Sequence, residues 1–474
     1  MAAIEKPDLC IIGAGALGIG IAIRARQLGA SVMLIERGAD EPGDPAGGQL
    51  ASSALAASAA RAQAMRTADV LGLNKHEPKP NFRAVVETSA ASVAAAAPAW
   101  STERLKALGI DCWAGSPSFV DPRTLKIGET AVRAGHFVLA TGAAPAVPDI
   151  AGLSEIAYFT PDSIGEHPRK LTHLAVIGGD QQAVELAQAY RRLGSQVTLI
   201  AHGPLLAGFD PELVAIVLRQ LHDEGLTILF DGMVAAIHPR KQGTGITVRT
   251  GETETALDVS HVLVSLGRVP ALDGLALELA RVQFDPASPQ QLQLNAGGQT
   301  TNSRISAVGG AAGESLAHIA SQQGARLAER VLAGTGSSQS AAAMPRLLQT
   351  GPALAQVGVV ELGAPLAAGL QVVRANMAEN AAARLRGEGH GMVKLVLDPV
   401  GKILGAGCVG PQAGELVAML ALAMARGLHA HDLAGLILPQ PSLAATLTDL
   451  GTQFIAEHPL AARQRRPGWR RFLP

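Results

Sequence analysis

The apolar and polar positions of the chain repeat one pattern twice. Asp8–Ile12 is an apolar run of strand length, Gly13–Gly18 is glycine-rich, and helical periodicity follows as far as Gly29. Ser31–Glu36 predicts a second strand that completes a β-α-β unit. The order returns downstream as strand His173–Ile177, turn Gly178-Gly179-Asp180-Gln181-Gln182-Ala183, a helix to Gly194 and strand Gln196–Ile200. Two such units in one chain predict an α/β fold with two doubly wound, dinucleotide-binding (Rossmann-like) domains.

The remaining pattern fills in this frame. Gln49–Val70 and Val85–Ala96 are alanine-rich, lack Gly and Pro, and predict helices. Short strands are expected around Cys112–Ile127 and at His136–Leu139, which stops at Ala140-Thr141-Gly142. His261–Leu266 predicts a strand leading into Gly267-Arg268-Val269-Pro270, and Arg304–Val308 predicts another before Gly309-Gly310 and a helix through Glu329. Gly334–Ala342 has the composition of a linker. Beyond it, Leu370–Asn376, Met392–Leu397 and Ile403–Val409 predict antiparallel strands, followed by helix Gly414–Arg426 in a separate α+β domain. The expected divisions are 1–150, 151–266, 267–333, 345–457 and a basic tail, 458–474.

Composition narrows the chemistry. A chain of 474 residues exceeds one ordinary core and predicts two to four domains. With 3% aromatics and 53 glycines, its core must rely on small aliphatic residues and closely packed helices. Lys+Arg (39) and Asp+Glu (40) nearly cancel, so no bulk charge draws the chain to nucleic acid. A membrane span needs about 18 consecutive apolar residues, and Leu416–Ala425 is too short. The opening residues, with Glu5 leading straight into a strand, lack a signal-peptide pattern, and a cytoplasmic setting is expected. Cys10, Cys112 and Cys408 lie far apart with no CxxC pair, which argues against a disulfide scaffold or a cysteine metal site; no metal is expected.

Gly13-Ala14-Gly15-Ala16-Leu17-Gly18 between strand and helix is the context in which a dinucleotide turn works. Gly13 permits the tight turn, Gly15 lets backbone approach a pyrophosphate, and Gly18 lets helix pack on strand. The helix N-terminus offers amides and partial positive charge. Glu36, ending the second strand, stands where an acid accepts bonds from ribose hydroxyls.

These turns, with Ala140-Thr141-Gly142, Gly267-Arg268-x-Pro270, Ala307-Val308-Gly309 and Gly410-Pro411-x-Ala413-Gly414-Glu415, resemble the pyridine nucleotide-disulfide oxidoreductases. The dihydrolipoamide dehydrogenase and mercuric-reductase-like branches are the nearest likenesses. The resemblance implies an FAD domain, a central NAD(P) domain, a return to the FAD domain and a C-terminal domain that forms a homodimer. It implies FAD contacts at Gly13, Gly15, Ala16, Leu17, Gly18, Glu36, Ala140, Thr141, Gly142, Gly309 and Gly310. Candidates toward NADH or NADPH are Gly178, Gly179, Asp180, Ala183, Glu185, His202 and Gly267.

Departures from the family pattern are concentrated at its reactive positions. After Gly47-Gly48, the two redox cysteines are replaced by Leu50 and Leu55, and the usual lysine by Ala59. Thiolate chemistry needs sulfur, so disulfide, lipoamide and mercuric-ion reduction by the family route are excluded. The His and Glu of the acid–base pair are Gln440 and Ala445, neither of which exchanges a proton near neutral pH. Gly310 replaces an aspartate that holds the ribityl chain, and Asp180 replaces the glycine of closest pyrophosphate approach. Glu185 matches a flavin-facing family glutamate, and Ala201-His202 offers neither a ribose acid nor an arginine. The expected function is FAD-dependent transfer of hydride or electrons directly to a small acceptor, without a disulfide. The alternatives are a non-catalytic dimeric scaffold or regulator, and a heterodimer completed by an intact paralogue. His429, His431 and the Arg-rich tail around Trp469 and Phe472 are expected to be structural or solvated.

Overall fold

Leu9–Ile12 is wholly apolar because it lies in the middle of a parallel sheet covered on both faces. The strand order is Ile305–Ala307, His136–Leu139, Leu9–Ile12, Val32–Glu36 and Ile110–Ala114. Leu9 and Ile11 pack toward helices Ala16–Gln27 and Ala317–Ala333, and Cys10 and Ile12 toward Phe119, Leu125 and Leu275 on the other face. The small-residue composition shows its effect between the two helices. A β-carbon on Gly324 would lie 2.7 Å from Ile21, a separation only glycine permits. The structure, a computed structural model, describes residues 4–37, 49–314, 316–334, 344–360, 367 and 369–458.

The second unit repeats the plan with Thr227–Leu229, Gln196–Ile200, His173–Ile177 and His261–Val264, all parallel. Helices Gln181–Arg192 and Pro211–Asp223 belong to this unit. A three-stranded antiparallel sheet, Met233–Pro239, Thr244–Thr250 and Thr253–Val259, supplies Ile237, Ile246 and Val248 to a core shared with Ala175 and Ile177. The C-terminal unit is a five-stranded antiparallel sheet ordered Arg346–Leu348, Ala353–Gly358, Ile403–Gly410, Met392–Leu397, Gln371–Asn376. Helices Ala413–Ala425 and Ala445–Glu457 share its core.

Several expected boundaries move for local reasons. The helix expected to reach Val70 spans Gln49–Arg66. It breaks where the Thr67 hydroxyl donates back to the Gln63 carbonyl, and a tight turn Ala68–Leu71 ends on left-handed Gly72. The helix expected from Val85 begins at Phe82, because Asn81 caps it by accepting the Ala84 amide. Strand His261–Val264 stops two residues early, and Ser265 turns to the second glycine turn. Gly47, Gly48, residues 335–343 and the arginines of 459–474 lie outside the described residues. Among the described residues, no helix is long and apolar enough to cross a membrane, and no group of three or more His, Cys, Asp or Glu side chains could hold a metal.

Candidate functional site

The chain must turn sharply as strand Leu9–Ile12 ends and the helix begins. Gly13 takes φ +111°, and a β-carbon there would lie 2.3 Å from the Ala140 carbonyl oxygen. A β-carbon on Gly18 would lie 1.9 Å from the Gly13 carbonyl oxygen. Packing alone therefore demands both glycines. Gly15 is different: it caps helix Ala16–Gln27 without a side-chain cap, and nothing lies within 4 Å of where its β-carbon would be. The start of that helix thus faces open space, the arrangement that receives an anion. Glu36 braces the turn, accepting the Ala14 amide at 2.9 Å and the Arg37 amide at 2.8 Å.

Ala140-Thr141-Gly142 forms the neighbouring edge. The Thr141 hydroxyl is buried without a hydrogen-bond partner, a state that costs about 1–3 kcal/mol unless a ligand satisfies it. Gly142 has open space at its β-carbon position. On the far side, a β-carbon on Gly310 would lie 2.7 Å from both the Gly142 carbonyl carbon and the Ala143 nitrogen. The backbone at 142–143 fills the space that a side chain at 310 would need. Strand Ala143–Pro145 is held there by pairing with Arg268–Pro270, and Arg268 donates to the Ala143 carbonyl and to Asp162.

The second turn has the same backbone and a different occupant. Gly178 takes φ +146°, and its β-carbon would lie 1.8 Å from the Ser265 carbonyl oxygen, the duty Gly13 performs in the first turn. Asp180 caps helix Gln181–Arg192 with its own carboxylate. One oxygen accepts the Ala183 amide at 2.8 Å and the Ser265 hydroxyl at 3.0 Å, and the Gly267 amide also lies against the group. Burial raises the Asp180 pKa, and these hydrogen bonds and the Arg268 charge oppose that rise. Such a cap is worth about 1 kcal/mol. A phosphate charge held 4 Å from it would meet roughly 4 kcal/mol of repulsion at an effective dielectric of 20. At the end of strand Gln196–Ile200, Ala201 is buried and His202 exposed.

The positions expected to match the family's redox machinery, Leu50, Leu55, Ala59, Gln440 and Ala445, carry no ionisable side chain. Leu55 and Ala59 are buried in a core shared with Val184 and Ala187, while the Leu50 side chain lies outside what is described. Burial pushes the Cys10, Cys112 and Cys408 thiols up in pKa, which disfavours thiolate in all three. Gln440 is exposed, and Ala445 opens the last helix. His429 caps a short helix together with Asp432, and His431 pairs with the same carboxylate, so both serve structure.

Glu185, on helix Gln181–Arg192, is an ionisable group in this region. Its carboxylate accepts the Gln181 amide group at 3.0 Å and the Gln349 backbone amide at 2.6 Å. Ser53 donates to the Gln349 side chain, so the long helix, the second-turn helix and the C-terminal unit meet here. Burial, with a smaller push from Asp180, raises the Glu185 pKa to about 7. Sequence reasoning missed Ser265 as the partner of Asp180, since it lies 85 residues downstream with no local signal. It also missed Lys394, whose signal was a lysine inside the apolar run Met392–Leu397.

Two Rossmann-like units followed by an antiparallel α+β unit define a two-dinucleotide oxidoreductase architecture. The pyridine nucleotide-disulphide oxidoreductase family matches residues 7–324, and its dimerisation domain matches residues 344–450. The chain belongs to this flavin-dependent family. A mercuric reductase from Streptomyces lividans is 30% identical over 451 residues, covering 93% of this chain and 94% of that protein. A dihydrolipoyl dehydrogenase from Geobacillus stearothermophilus is 30% identical over 453 residues, with coverages of 93% and 94%. Among solved structures, LpdA from Mycobacterium tuberculosis superposes with a TM-score of 0.85 at 23% identity, covering 95% of this chain and 99% of that one.

Proposed function

We propose that the chain is an FAD-dependent oxidoreductase that works without a redox disulfide and without the His/Glu acid–base pair. The open, uncapped helix start at Gly15, beside the unpartnered Thr141 hydroxyl, carries this reading. The backbone of Gly13, Gly15, Ala16, Leu17 and Gly18 would hold the FAD pyrophosphate, and Glu36 the ribose. Ala140, Thr141 and Gly142 would line one edge, and the backbone of Gly309 and Gly310 the other. FAD, when bound, would supply two-electron redox chemistry, taking a hydride or electrons from a small-molecule donor and passing them to a small acceptor. Leu55 and Ala59 contribute buried hydrocarbon, and Glu185, its pKa raised to about 7 by burial, can exchange a proton near neutral pH.

The missing carboxylate at 310 weakens FAD binding by about 1.5–3 kcal/mol, one charge-assisted hydrogen bond, without removing the phosphate cradle. In this reading residues 1–150 and 267–333 form the FAD unit, 151–266 the second nucleotide-type unit and 345–457 a homodimer interface in a cytoplasmic protein. Titrating the purified protein with FAD tests it. We expect saturable uptake near one FAD per chain, with no charge-transfer band from a thiolate. A protein that elutes colourless and takes up no added FAD overturns the reading.

A second reading, a non-catalytic dimeric scaffold or regulatory relative, is favoured by the filled second turn and the closed edge at Gly310. Bound FAD that NADH, NADPH and dithionite all fail to reduce would support it. Turnover with any small acceptor would reject it.

A further inference from the structure

The family's other dinucleotide does not fit the second turn as built. We propose that Asp180 acts as an internal anion that closes this turn against nicotinamide dinucleotides, so that the residue determines specificity rather than merely capping a helix. Three donors from two segments converge on its carboxylate: the Ala183 amide from the helix start, and the Ser265 hydroxyl and Gly267 amide from the loop after strand His261–Val264. Donors at the start of such a helix are the ones a ligand phosphate uses, and here a side chain already occupies them.

The first turn is an internal control. Its equivalent residue, Gly15, leaves the helix start uncapped and its β-carbon position empty. The glycines that permit the turn itself, Gly13 and Gly178, are retained in both. At the third position the two turns differ in kind, Gly15 in the first against Asp180 in the second. A second observation points the same way. The strand end that would bind an adenosine ribose offers buried Ala201 and exposed His202, whereas the first turn has Glu36.

The inference stands whether or not the first turn carries FAD, because nicotinamide binding can be read without flavin. NADH binding to the full-length protein, followed by calorimetry and by NADH fluorescence, tests it. The wild type is expected to show no saturable binding below millimolar NADH. Asp180→Gly is expected to bind at least tenfold more tightly, equivalent to about 1.4 kcal/mol. Asp180→Asn keeps the side-chain bulk and a competent cap while removing the charge, and its affinity is expected to fall between the two. Wild-type affinity within twofold of Asp180→Gly would overturn the proposal. So would a folded Asp180→Gly that gains no affinity. Should Asp180→Gly fail to fold, Asp180→Asn decides: a threefold gain supports the proposal and no gain overturns it.

Discussion

The first turn, Gly13–Gly18, and the second, Gly178–Ala183, use their leading glycine alike, pressed against a carbonyl that no β-carbon could approach. They part at the third residue. Gly15 leaves its helix start open, and Asp180 closes its own with three donors. The glycine that makes the fold is therefore separable from the glycine that makes the site. The fold is set by packing, whereas what the turn can bind is set by the residue at the ligand-facing position.

The largest expected effect separates the scaffold of the second unit from its turn. Lys394, fully buried in the C-terminal sheet, donates to Asp210 at 2.7 Å and Glu212 at 2.9 Å, at the start of helix Pro211–Asp223. Lys394→Met strands the buried Asp210 carboxylate, and denaturant unfolding should show a loss of about 3–5 kcal/mol. Arg374 and Lys394 together hold the Glu212 carboxyl at a pKa of about 2, below its unfolded value. That contribution is present above about pH 4.5 and is lost as pH falls toward 2. With the Glu212 side chain 37% exposed, it amounts to about 1 kcal/mol after screening.

Next in size, Gly18→Ala and Gly178→Ala should each cost about 3 kcal/mol, since each drives a methyl group into backbone. Of the two, only Gly18→Ala should also abolish FAD uptake. Equal effects on FAD would erase the distinction between the turns. Gly310→Asp restores the family's residue type, yet its β-carbon meets the 142–143 backbone. Thermal unfolding should show a loss of about 2 kcal/mol, with no tightening of FAD. Tighter FAD would mean that the edge opens on demand.

Glu185→Gln sharpens the comparison at the junction between the units. The folded Glu185 pKa of about 7 lies above the unfolded value near 4.3, so wild-type stability falls as pH rises through that interval. The glutamine variant escapes the penalty. It should be more stable than wild type by roughly 1–2 kcal/mol at pH 8 and equal to it near pH 4. The smallest effect is Asp180→Ala, which should cost about 1 kcal/mol of stability through the lost cap.

Much of this was legible because it is local. Strand, glycine turn, helix and terminal acid lie within 29 residues of one another, and the βαβ pattern fixed both units and the C-terminal change of alternation. The expectation that the redox cysteines and the acid–base pair are replaced rested on the residue types of Leu50, Leu55, Gln440 and Ala445 alone. The sequence also marked Asp180 as an obstacle, but not as an occupant, because Ser265 and Gly267 reach it through the return of a distant strand. The closure over Gly310 depends on a pairing between Ala143–Pro145 and Arg268–Pro270 that no local pattern records. The sheet Met233–Val259 and the buried Lys394 cluster are long-range for the same reason.

The contrast between an open and a self-filled turn can be measured directly by equilibrium titration of flavin-stripped protein with FAD and, separately, with NADH. The account predicts one saturable FAD site per chain and no NADH site below millimolar concentration. Comparable binding of both dinucleotides, or NADH binding in the absence of FAD binding, would contradict it.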